Sequence, residues 1–212
     1  RPTHGSVESG ENVAWTAELP GRGASSPIVV GGHVFVTAAS GPHEDRLHVL
    51  AFDLGSGELA WQRTFWATGR TLFHPATSVA ANTPASDGKR LFAFFSSNDL
   101  FALDLDGNVQ WIRGLTSNYP LAGNDVGMAS SPAVVDGTIV VQSEAQAESF
   151  AAGIDAVTGE TRWDVDRPRK ASWCSPIAVK FGAEGNTFDA VLLQSPSGVA
   201  VHQAATGEKL WE

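Results

Sequence analysis

The chain has 212 residues, with 14 basic against 23 acidic side chains and a formal net charge of −9, a balance that argues against a nucleic-acid footprint. Its single cysteine, Cys174, excludes an internal disulfide, and no apolar run is long enough to span a membrane. No stretch sustains a 3.6-residue apolar period, and frequent Gly and Pro would break a helix, so the chain reads as all-β.

In chain order, residues 13–19 around Trp15 have the character of an outer strand with no partners before it. Ser26-Pro27 then opens a unit in which Ile28-Val29-Val30 and Val34-Phe35-Val36 flank Gly31-Gly32, a dipeptide suited to a hairpin turn. A third strand, Leu47 to Asp53, leads through a short turn to a strand carrying Trp61. The unit recurs from Thr83-Pro84, with Asp87-Gly88 turning into Leu91-Phe92-Ala93-Phe94-Phe95. It recurs again from Ser131-Pro132, with Asp136-Gly137 between apolar runs, and from Ser175-Pro176.

Each unit closes on one motif. Ala51-Phe52-Asp53-Leu54-Gly55-Ser56-Gly57-Glu58-Leu59-Ala60-Trp61 returns as Gly153 to Trp163, as Val201 to Trp211 with Gln203 in the acidic place, and one residue shorter as Ala102 to Trp111. Trp15, Trp61, Trp111, Trp163 and Trp211 thus recur about every 50 residues, and four strands per such unit is the signature of a β-propeller blade. The expected blades are 24–65, 77–115, 129–166 and 173–212. The Asp and Gly of the motif form a tight turn between the third and fourth strands. The Trp then offers a ring of roughly 150–250 Å² for docking on a neighbouring blade.

The A-x-D-x-x-[ST]-G-x-x-x-W repeat resembles the tryptophan-docking motif of the PQQ-like (pyrroloquinoline-quinone repeat) propeller superfamily. Residues 51–61 match every fixed position, and 153–163 all but the leading Ala. The superfamily includes quinoprotein dehydrogenases, an outer-membrane-assembly lipoprotein and many uncharacterised secreted propellers, the last of which 19–27 and 127–132 resemble most. The resemblance implies a ring of seven or eight blades and a periplasmic or extracellular location. Two outer strands, 13–19 and the one at Trp211, cannot serve one blade. The sequence therefore reads as part of a larger ring, with blade edges open to self-association.

In propellers the loops entering each innermost strand gather on one face, and loops on a rigid scaffold carry function. Here they are 21–26, 68–83, 116–131 and 167–175. The ligand-binding candidates on them are Arg22, Arg70, His74, Asn82, Asn124, Asp125 and Trp173, with Tyr119 and Arg169 nearby. No catalytic residue and no metal ligand is assigned. The six histidines (His4, His33, His43, His48, His74, His202) form no metalloprotease spacing, and His33 and His48 fall on the polar phase of strands. Asp104-Leu105-Asp106-Gly107-Asn108 alternates oxygens like a calcium loop but lacks the closing Glu, and is read as a hairpin turn. Arg167-Pro168-Arg169-Lys170 is read as a solvated loop, and Cys174 as a buried, inert thiol.

The expectation is a non-catalytic scaffold that binds a protein or small ligand through these loops, without a cofactor. The resemblance also implies an alternative, a quinoprotein oxidoreductase with PQQ and calcium. Asn124-Asp125 would then supply a base or cation ligand and Trp173 a stacking ring, although one cysteine excludes the adjacent-cysteine disulfide. A third reading is an outer-membrane assembly factor that receives partner strands at an exposed edge.

Overall fold

The structure, a computed structural model, describes residues 5–183 and 186–212; His4 lies outside them. It holds four four-stranded antiparallel sheets, each with its strands in chain order. The first is β1 (Ile28–Val30), β2 (His33–Ser40), β3 (Arg46–Asp53) and β4 (Leu59–Trp66). The second is β5 (Ala85–Ser86), β6 (Arg90–Phe94), β7 (Asp99–Asp104) and β8 (Val109–Gly114), followed by a 3₁₀ turn at Leu115–Ser117. The third is β9 (Ala133–Val135), β10 (Thr138–Ser143), β11 (Phe150–Asp155) and β12 (Thr161–Asp166). The fourth is β13 (Ile177–Ala183), β14 (Asn186–Ser195), β15 (Gly198–Gln203) and β16 (Lys209–Trp211).

The core lies between sheets rather than within one. Phe35, Leu47 and Val49 of the first sheet meet Leu91, Ala93, Phe101 and Leu103 of the second. The alternate residues Phe92, Phe94, Leu100 and Ala102 turn the other way, onto Ile139, Val141 and Phe150 of the third. A strand buried on both faces has no polar phase, which is why residues 91–95 run apolar without a break. Val140 and Ala151 then pack on Val191 and Leu193 of the fourth sheet. This is blade-on-blade stacking, and the described residues form four blades of a β-propeller fold.

The motif glycines and tryptophans latch the blades. The indole N–H of Trp15 donates to Leu54 O, that of Trp61 to Leu105 O, that of Trp111 to Ala156 O and that of Trp163 to Ala204 O, at 2.8–3.3 Å. Each ring lies over the motif glycine of the next sheet. A Cβ at Gly57, Gly107, Gly159 or Gly207 would fall 2.4–2.7 Å from ring atoms of Trp15, Trp61, Trp111 or Trp163. Those glycines also have φ of 74–83°, a left-handed conformation that costs other residues more. Gly153, which replaces the leading Ala in the third copy, follows the same logic, because a Cβ there would stand 2.2 Å from the indole of its cross-strand partner Trp163. In all four sheets the ladder shifts register one step past that cross-strand pair, a bulge that turns the outer strand as it enters the motif.

The acidic residue of the motif builds the turn. Asp53 Oδ1 accepts from Gly55 N and Ser56 N, and Asp155 Oδ1 from Val157 N and Thr158 N, all at 2.8–2.9 Å. Asp104 spends its carboxylate the same way on Asp106 N, Asn108 N and the Asn108 amide, so the segment 104–108 is a turn. Gln203 holds only the Thr206 hydroxyl with its side chain.

A second connection runs through the residue before each proline. Ser26 N donates to Thr83 Oγ1, Thr83 N to Ser131 Oγ and Ser131 N to Ser175 Oγ, at 2.9–3.0 Å. A small hydroxyl recurs at this position because it both fits beside the proline and accepts from the preceding blade.

Four expectations need correction. Residues 13–19 form no strand, since every described third strand already has its own outer partner; Trp15 is nonetheless docked. His48 is buried despite its polar phase, held between the hydroxyls of Ser40 and Thr64 from the two flanking strands at 2.8 and 3.0 Å. Cys174 is only partly buried. Arg167 leaves the solvated loop to which the sequence assigned it, its side chain turned in onto the buried Glu144 carboxylate.

Candidate functional site

Three buried carboxylates, Glu44 and Glu144 on the turns between second and third strands and Asp99 at the start of β7, hold the loops entering the second and fourth blades. Glu44 also pairs with Arg22 on the loop entering the first. Glu44 Oε2 accepts from Ser78 Oγ and Val79 N at 2.8 Å. Asp99 accepts from Thr68 N at 2.9 Å, from the Thr68 hydroxyl, and from Ser97 Oγ at 2.6 Å. Glu144, fully buried, takes Arg167 Nε at 2.8 Å. Burial pushes the Glu144 carboxyl above the ordinary glutamate range, and the Arg167 guanidinium pulls part of the way back. These acids stand outside the repeat motif, and no sequence signal marks which loop each one holds.

The candidate residues divide on this scaffold. Asn82 is fully buried, and its Nδ2 donates to Ser130 O at 2.6 Å, which makes it a bridge between blades. Asn124 is buried and donates to Glu144 O at 3.0 Å, tying the loop 115–132 to the third blade. His74 is exposed but organises its own turn, its Nδ1 accepting from Ala76 N and its carbonyl from Thr77. Arg22 reaches Pro75 O at 2.6 Å, pairs with Glu44 at 3.4 Å and lies over the Phe73 ring. Tyr119 stacks on Phe150 with ring centres 3.8 Å apart, while Asp125 and Arg169 are exposed. Trp173 is half exposed, with its indole N–H on Gly127 O at 2.9 Å.

Arg70 lines a cleft of about 370 Å³ between the loop 67–72, the turn 96–98 and the loop 116–124. Thr68, Ser97, Asn98, Thr116 and Gly123 share its walls, so the structure brings Arg70 and Asn124 to one cleft and leaves the other candidates outside it. Leu72, Leu121 and Val126 are exposed on the loops entering the second and third blades, and Trp173 on the loop entering the fourth. The loops are joined to one another as well: His74 N donates to Val126 O at 3.0 Å, and Gly127 lies so close to Leu72 O that a Cβ would be 2.8 Å from it.

The family model described as outer membrane protein assembly factor BamB, a model of the PQQ repeat, matches residues 6–126 and 122–212. The chain belongs to this PQQ-repeat family. Among curated proteins, none matches it. Of solved structures, BamB from Moraxella catarrhalis is similar at 23% identity and a TM-score of 0.60, covering 93% of this chain and 50% of that one. The quinohemoprotein alcohol dehydrogenase of Comamonas testosteroni is similar at 17% identity and a TM-score of 0.58, covering 90% and 34%. A second such enzyme, ADHIIG of Pseudomonas putida HK5, gives 16% and 0.62, covering 92% and 34%. The chain thus spans half or less of the length of these structures, and at such identities the likeness shows the shared propeller fold.

Asn124 Nδ2 is held by Glu144 O and Asp125 is exposed, so the two residues named for a calcium–quinone site lie side by side in the sequence but in different environments. Among the described residues no three His, Cys, Asp or Glu side chains are placed to hold a metal ion. Nor is any helix among them long and apolar enough to cross a membrane.

Proposed function

We propose that this PQQ-repeat propeller is a non-catalytic scaffold of the cell envelope or exterior, which recognises a protein partner through the loops entering its blades. The observation that carries the reading is the set Leu72, Leu121, Val126 and Trp173, apolar side chains left exposed on loops that are otherwise pinned by buried carboxylates and interloop hydrogen bonds. Exposed aromatic and aliphatic anchors on a rigid base are the usual make-up of an interface centre, since little ordering entropy is lost on docking. The family description as an outer membrane protein assembly factor supports a binding role of this kind, and relatives of that class support an envelope location.

Photo-crosslinking tests it. A benzoyl-phenylalanine at Leu121 or Val126, in the native host, is expected to yield a discrete protein adduct, whereas the same group at Val157, exposed on a turn of the opposite face, yields none. Equal labelling from both faces, or none from either, would overturn the reading.

A further inference from the structure

We infer that the cleft beside Arg70 is a carboxylate-binding site, and that the free carboxyl terminus of a peptide is its ligand. The inference deepens the partner-binding reading and rests on it only for the source of the carboxylate.

The other arginines among the described residues, Arg169 apart, are employed. Arg90, Arg162 and Arg167 pair with Asp87, Asp155 and Glu144, and Arg22 with Glu44. Arg113 holds Gly159 O and Asn118, while Arg46 and Arg63 lie over Trp66 and Trp61. Arg70 has no ion pair, hydrogen bond or ring contact among the described residues. Arg169 shares that condition, but its surroundings answer for it: the shallow groove it lines also carries Glu148, Asp164 and Asp166.

The Arg70 cleft is the reverse case. No acidic side chain lines it, and Arg70 is its one charged wall in a chain whose net charge is −9. Two acids adjoin lining residues in the sequence: Asp99 accepts from Thr68 N, Thr68 Oγ1 and Ser97 Oγ, which commits its carboxylate to the cleft wall, and Asp125 is exposed and forms no ion pair with Arg70. Gly123, with φ of +150°, lets the backbone pass close to the guanidinium; a Cβ there would stand 3.6 Å from Arg70 Nη2. A planar guanidinium kept free in this way matches a carboxylate edge to edge through two parallel hydrogen bonds.

The cleft wall also holds an unpaired acceptor. Asn98, 1% exposed, lines it with its Nδ2 on Ala122 O at 2.9 Å, and its Oδ1 has no partner. A buried acceptor left unpaired costs free energy that a ligand N–H can recover. A chain terminus brings both groups, a carboxylate and an adjacent amide N–H, and exposed Leu72 and Leu121 flank the cleft with apolar surface for the terminal side chains. A free small acid shares only the carboxylate.

Calorimetric titration of the whole chain with N-acetyl-dileucine as the free acid, its C-terminal amide, and acetate tests the assignment. The free acid is expected to bind at least tenfold more tightly than the amide, and Arg70→Met to remove that difference. Arg70→Lys should restore part of it, since a single ammonium lacks the fork. Arg70 has no intramolecular partner, so its variants keep the wild-type melting temperature, which separates lost binding from lost fold. Acetate binding as tightly as the dipeptide would identify a small free acid as the ligand and overturn the chain-terminus assignment. Equal binding of acid and amide, unchanged binding by Arg70→Met, or no binding of any of the three overturns the site. Crosslinking at Leu121 that persists in Arg70→Met would leave the partner-binding reading standing without it, and carboxylate binding without crosslinks the converse.

Discussion

The Arg167 guanidinium meets Glu144 at 2.8 Å in a place where the two side chains are 7% and 0% exposed. The pair joins the loop that enters the fourth blade to the third blade's own turn. Removing one member of a buried pair leaves an uncompensated charge, which typically costs about 3–5 kcal/mol. Arg167→Met is therefore expected to lower the urea midpoint strongly, and Arg167→Met with Glu144→Gln to recover much of the loss.

The same pair gives a pH signature. Burial raises the Glu144 pKa above its unfolded value, so the folded chain holds that proton at a pH where the unfolded chain has released it. Stability from this group is full below the ordinary glutamate range and declines as pH rises through the raised value. Thermal melts from pH 4 to 8 should show this decline, and Glu144→Gln should flatten it.

Asp155 behaves in the opposite sense. Hydrogen bonds from Thr158 N and the Arg162 side chain hold its pKa down to about 2. Its stabilising contribution is complete above the ordinary aspartate range and disappears as pH falls through about 2. Carboxyl NMR titration should find the low value, and Arg162→Gln should move it upward. The carboxylate is largely solvated, so the accompanying change in stability should be small.

Gly107→Ala places a methyl group within 2.6 Å of the Trp61 ring at a backbone φ of +83°, and something has to move. Trp61→Ala removes the ring and leaves a cavity, at a cost of about 3–5 kcal/mol. Both variants should unfold at lower urea than the parent. The double variant should cost less than the two together, because the clash no longer exists once the indole is gone.

Thr83→Val keeps the shape of the side chain but deletes the acceptor for Ser26 N. A loss of about 1 kcal/mol is expected, and Thr83→Ser should restore it. Chemical denaturation of the three proteins is sufficient to decide this.

The blades were readable because their signals are local. The Asp and Gly of each motif act within one turn, and the Trp is at a fixed distance from them. Two-faced burial also shows itself as unbroken apolar runs such as 91–95. The site was less readable because its determinants are pairings between loops. Nothing near Glu144 indicates that Arg167 completes it, and Asn82 looks the same in sequence whether it faces a ligand or bridges to Ser130 O. Arg70 stands out in the sequence only as a loop cation; that it has no partner among the described residues shows in its three-dimensional placement alone. Residues 13–19 looked like a strand because Trp15 copies the motif's last residue; docking needs that indole, whereas a strand needs a neighbour to pair with.

Trp61, Trp111 and Trp163 each fasten their own sheet to the one that follows. Cohesion here is accordingly a chain of nearest-neighbour bonds, as in a row of zipped panels. Amide exchange should report Trp111→Ala as faster opening of the second and third sheets together, with the first sheet little changed.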